Sequence, residues 1–84
     1  MQLIYPFPGG TVSRSKNWRG EVEPLVFRLA HPRPEQRVFW HLNGVFLATT
    51  TRTHELTADV PPGQHELVVT DDGGGRLRRR FTVR

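Results

Sequence analysis

Ser13-Arg14-Ser15-Lys16 is the stretch in which a nucleophile and an activating amine stand at a catalytic spacing. Ser-x-x-Lys serves acyl transfer when a helix starts at the serine and holds the lysine near its hydroxyl. Here a Pro/Gly bend precedes the pair, and Asn17-Trp18-Arg19-Gly20 follows with no apolar helical run. Neither Ser-Asp-Asn nor Lys-Thr-Gly occurs, so the segment reads as a loop and no catalytic residue is assigned. His31, His41, His54 and His65 are not paired at short metal-ligand spacing, and His-Glu-x-x-His is missing. They read as hydrogen-bonded or surface groups, and no metal or cofactor is assigned. Gly73-Gly74-Gly75 lacks the Gly-Lys-Ser/Thr of a phosphate loop and leads into a strand, which makes it hairpin slack. Asp71-Asp72 falls short of a calcium loop and suits a turn.

Charge is the other chemical resource. The chain carries twelve basic residues against eight acids, a formal net charge of +4, and no cysteine. Arg76, Arg78 and Arg80 fall on one face of a strand, so the densest cluster forms a stripe. Nucleic-acid binding needs such a stripe together with stacking aromatics or a recognisable module, and no module signature is present; no nucleic-acid partner is assigned. A solvated outer face that discourages edge-to-edge pairing is the ordinary use of such charges. No stretch resembles a membrane span or signal core, so this chain is not expected to insert into a membrane.

The elements that must position these groups are short strands. Val38, Trp40 and Leu42 alternate with Phe39 and His41, and Asn43-Gly44 is the dipeptide of a two-residue type I′ hairpin turn. Val45 resumes the strand, and uninterrupted pairing sets Leu42 against Val45, His41 against Phe46 and Trp40 against Leu47. Gln2–Tyr5 is a first strand, broken at Pro6-Phe7-Pro8-Gly9-Gly10 and continued at Thr11-Val12. Val22–Ala30, His54–Val60, Gln64–Thr70 and Arg76–Val83 follow as strands, while Thr49–Thr53 reads as an exposed edge or loop. Arg79 shares the inward phase of Leu77, Phe81 and Val83, so either its guanidinium reaches out of the core or a bulge shifts the phase.

Residues 1–84 therefore form one small all-β domain, an immunoglobulin-like antiparallel β-sandwich of about seven short strands. Its expected core is Phe27, Trp40, Leu42, Leu67, Val69 and Phe81, with Val38, Val45 and Leu47 also inward. Strand alternation turns Phe39, His41, Phe46, Val68, Arg78 and Arg80 outward on three strands of one sheet, an aromatic-and-arginine surface suited to an interface.

The chain resembles the C-terminal domain of class A bifunctional penicillin-binding proteins of the C subtype. The resemblance spans nearly all of it. It rests on Ile4-Tyr5-Pro6 with Gly10-Thr11-Val12, on Leu25–Ala30, and on Val38-Phe39-Trp40-His41-Leu42-Asn43-Gly44. Pro62-Gly63-Gln64-His65-Glu66-Leu67-Val68-Val69-Thr70-Asp71 and the closing Phe81-Thr82-Val83 complete it. The resemblance implies a non-catalytic accessory domain of a periplasmic, inner-membrane-anchored peptidoglycan synthase. Its glycosyltransferase and transpeptidase residues would lie in other domains. It also implies, as partners, those domains, peptidoglycan, or a macroglobulin-like periplasmic protein. Asp71-Asp72-Gly73-Gly74-Gly75 departs from the family's shorter Asp-to-Gly turn and suggests a more mobile tip. Apart from the resemblance, a free-standing secreted adhesion or carbohydrate-binding β-sandwich fits the same pattern.

Overall fold

The computed structural model describes residues 1–7 and 9–84; Pro8, part of the first bend, lies outside them. Eight strands account for the regular structure: β1 (Gln2–Tyr5), β2 (Thr11–Val12), β3 (Leu25–Ala30), β4 (Arg37–Leu42), β5 (Val45–Thr51), β6 (His54–Ala58), β7 (Gly63–Asp71) and β8 (Arg76–Val83). They form two sheets, β1-β3-β6 and β2-β8-β7-β4-β5, with no helix among the described residues. One more strand is present than the sequence pattern suggests, because the Pro/Gly bend passes the chain from one sheet to the other. β2 then runs parallel to β8, so the sandwich is not wholly antiparallel.

The core forms where the alternating apolar faces of the two sheets meet. Phe27, Val38, Trp40, Leu67 and Val69 are fully buried, and Phe81 nearly so. The Phe27 ring lies near-parallel to the Trp40 indole with centroids 6.3 Å apart and takes Phe81 edge-on at 5.9 Å. Leu42, at the end of its strand, is half-buried and packs on this cluster from the side.

β6 stops at Ala58, two residues short of the expected Val60, and β7 gains Gly63 and Asp71. Two further strand limits and one hairpin register differ from the sequence reading for local reasons. β3 starts at Leu25, since Pro24 has no N–H for a ladder; Val22 instead forms an isolated bridge with Lys16. β5 runs on to Thr51, because β-branched threonines sit well against β4. Inside the hairpin, His41 faces Phe46 and Leu42 faces Val45, but Trp40 faces Ala48. Leu47 is the extra residue of a β-bulge. Val45 and Leu47, expected inside, are 63% and 36% exposed. The three-stranded sheet leaves the start of β5 uncovered, and the bulge takes Leu47 out of the alternation.

Asn43 and Gly44 have φ of 52° and 81°, the left-handed pair that a type I′ turn demands. Arg79 keeps its inward phase, since β7 and β8 pair without a shift. Its guanidinium crosses to the first bend and donates to the Pro6 carbonyl at 2.7 Å.

Candidate interaction surface

Sheet register gathers the outward residues. Phe46, His41, Val68 and Arg78 stand directly opposite one another on β5, β4, β7 and β8, forming one row across four strands. With neighbouring strands about 4.8 Å apart, the row is about 14 Å wide. Phe39 lies one row toward the far end, opposite Thr70, and Arg80 one row the other way, opposite Glu66. The sheet thus brings all six together on its outer face. His41 meets Phe46 edge-on at 5.5 Å, and the Arg37 guanidinium lies 5.9 Å from the Phe39 ring centre.

The face is basic along one margin. Arg76, Arg78 and Arg80 are exposed on β8. Glu66 is the acid among them, 3.2 Å from Arg80 and 3.7 Å from Arg78. Such exposed pairs contribute about 0–1 kcal/mol, so they orient the guanidinium groups more than they stabilise the fold. Three arginines against one carboxylate leave an anion-attracting margin beside an apolar centre.

Next to this face the hairpin tip is clamped to β7. Asn43 N–H donates to the Glu66 carbonyl at 2.8 Å, and its side-chain oxygen accepts the Glu66 N–H at 2.9 Å. The Asn43 amide nitrogen also reaches His65 Nδ1 at 2.9 Å. Because the Pro61 carbonyl can only accept, His65 must donate to it through Nε2 at 2.7 Å, which makes Nδ1 the acceptor for Asn43. Turn preference identifies Asn43 as a left-handed residue; its second task, bonding a strand far along the chain, has no local signal.

The remaining polar groups organise loops. His31 Nδ1 accepts the Arg33 N–H at 3.0 Å, so Nε2–H donates to Asp71 at 2.8 Å. The other Asp71 oxygen accepts the N–H groups of Gly73 at 2.9 Å and Gly75 at 2.7 Å. The His31 hydrogen bond and then the Gly75 amide hold the Asp71 carboxyl below its usual range. Asp72 is lowered likewise, first by the Arg37 amide and then by the Arg37 side chain. The Asp71–Gly75 tip is therefore fastened to two other segments. The loose tip expected from its glycines is corrected by these bonds, because both aspartates spend their acceptors on them.

A second histidine lies behind His31. His54 is buried, its ring 6.0 Å from that of His31, with Nδ1 2.7 Å from the Thr50 hydroxyl. Burial, and then the proximity of His31, push its pKa down. No set of three metal-ligating side chains converges among the described residues. Ser13 and Lys16 lie in extended loop, with Lys16 bridged to Val22 and no helix start to bring amine and hydroxyl together.

The fold places the chain among fibronectin type III-like and immunoglobulin-like β-sandwiches. It is similar to the fibronectin(III)-like modules of Clostridium thermocellum CbhA, with a TM-score of 0.64 and 17% identity over 98% of this chain and 91% of that one. At that identity the likeness concerns the fold alone. Residues 1–81 match the model of the Penicillin-Binding Protein C-terminus Family, and the chain belongs to that family. It is thus an accessory domain of the penicillin-binding protein kind, from a family of cell-envelope proteins. Among curated proteins nothing matches it.

Proposed function

We propose that this domain is the non-catalytic C-terminal accessory domain of a peptidoglycan synthase. In this reading the parent is anchored in the inner membrane, and the domain works in the periplasm. It docks a second surface through the outer face of its five-stranded sheet. The observation that carries the reading is the row Phe46–His41–Val68–Arg78, which sets an exposed Phe46 and half-buried His41 and Val68 beside an arginine margin. Aromatic residues and arginine are enriched at protein interfaces. Candidate occupants are the parent's own catalytic domains, a macroglobulin-like periplasmic protein, and peptidoglycan.

The test places a photo-crosslinking residue at Phe46 in the parent protein, and separately at Thr57 on the other sheet. Adducts from position 46, lost on Arg78→Glu with Arg80→Glu, are the expected result. Adducts from position 57 alone would move the docking face to the three-stranded sheet. An upstream reading frame without synthase domains would favour the free-standing secreted module instead. A labelled β-lactam should leave this domain unmodified; stable labelling of Ser13 would overturn the non-catalytic reading.

A further inference from the structure

Four strands end the two sheets: β1 and β6 in one, β2 and β5 in the other. Edge strands present unpaired N–H and C=O groups, and folds blunt them by shortness, proline, charge or bulges. β1 has four residues, is bulged against β3 and runs into Pro6. β2 has two residues. β6 has five and carries Glu55. β5 has seven, Val-Phe-Leu-Ala-Thr-Thr-Thr, with neither charge nor proline. Its bulge at Leu47 lies in the first half and leaves Ala48–Thr51 in unbroken register with β4. Val45, Phe46 and Leu47 are 63%, 54% and 36% exposed at its start. Arg52, just past its end, is exposed and has no carboxylate partner among the described residues.

We propose that β5 is a strand-addition site. It takes an extended segment of a partner polypeptide, antiparallel, with apolar residues toward its C-terminal end and a carboxylate at its N-terminal end. The chemistry follows from the edge itself. A row of alternating main-chain donors and acceptors is matched by another strand, whereas a helix has spent these groups internally and a glycan does not present them at strand spacing. Antiparallel pairing sets the start of the added strand beside Arg52 and its end over Val45–Leu47. A second copy of this chain fits less well. Two-fold pairing of β5 with itself about Thr49 keeps side chains on matching faces only over Ala48–Thr50. Past that stretch the bulge breaks the alternation and Phe46 falls opposite Arg52.

The experiment titrates the isotope-labelled protein with a synthetic peptide of two glutamates followed by alternating threonine and valine. Amide exchange at the alternate positions of Ala48–Thr51 whose N–H points away from β4 should slow by about tenfold or more, since newly bonded amides exchange only when the pairing opens. The same peptide N-methylated at alternate amides should cause no slowing, and Arg52→Glu should reverse the preference toward a lysine-led peptide. Equal binding by the N-methylated peptide would overturn the proposal. So would slowing that maps to Phe39 and Arg78, no slowing with the unmodified peptide, or self-association through β5 without any peptide. Phe46 belongs to both surfaces, so failure of this site is told from failure of the face by the exchange readout at Ala48–Thr51 and by whether a crosslink at position 46 depends on Arg78 and Arg80.

Discussion

The Trp40 indole N–H donates to the Thr50 hydroxyl at 2.8 Å, a bond that exists because Leu47 is an extra residue in β5. An unbulged two-residue hairpin would set Thr50 opposite Arg37, on the outer face. The bulge shifts the far half of β5 by one position, so Thr50 stands opposite Val38 and turns inward. The largest side chain of the core thereby finds an acceptor for its one polar atom, and Thr50 is left to bond His54.

Thr50→Val should destabilise the domain by about 1–3 kcal/mol, because it strands the buried indole N–H. Thr50→Ser should recover most of that loss. Urea unfolding of both variants measures it. Trp40→Ala sets the upper comparison at about 3–5 kcal/mol, while Trp18→Ala, at a position 87% exposed, should leave stability near wild type.

Deleting Leu47 should be tolerated, with stability changing by less than about 1 kcal/mol. The shortened hairpin keeps every other pairing, including Trp40 with Ala48 and Val38 with Thr50. Loss of the folded state on this deletion, seen by circular dichroism, would mean that the bulge performs a packing task of its own.

Stability should fall in two separate steps on acidification. His54 titrates below its ordinary value of 6.5 in the folded protein, so the unfolded chain takes up a proton first. Stability is therefore full above about pH 6.5 and declines as pH falls from there toward the lowered folded value. Asp71 is lowered from 3.8, so its contribution holds above that pH and is lost as pH falls through its folded value. His54→Gln should remove the first step and keep the second. Unfolding curves between neutral and strongly acidic pH check both.

Gly75→Ala should loosen the β7–β8 loop. A Cβ at Gly75 would lie 2.6 Å from an Asp71 carboxylate oxygen, so the carboxylate must shift and its bonds to His31 and the Gly75 amide must lengthen. Overpacking of this kind costs about 1–3 kcal/mol. Thermal melting reads the loss, and a wild-type melting temperature would show that Asp71 does not organise the loop.

Much of the candidate face is legible in sequence because it follows from alternation alone. On β4, β7 and β8 the pleat carries Phe39, His41, Val68, Arg78 and Arg80 to one side without interruption. Phe46 also follows, since it precedes the bulge and the turn sets it against His41. Val45 and Leu47 do not follow. Whether inward-phase Val45 is covered depends on how far the opposite sheet extends, and that sheet is assembled from segments distant in the chain, while Leu47 leaves the phase altogether through the bulge.

Sequence by itself determined most of the strands though not their limits, the Asn43-Gly44 turn, the Trp40 core and the outward row, all of which rest on side-chain period and on backbone preferences of single residues. Tertiary structure decided the bulge at Leu47, the clamp from Asn43 to β7, the reach of Arg79 to Pro6, and the bonding of Asp71 to His31. Each of these joins groups that no local pattern connects. Apart from the bulge, they exist only after the sheets have packed, when a buried donor must take whichever acceptor the fold has brought within reach. The bulge itself answers to the same packing, since it is the register that gives Trp40 its acceptor.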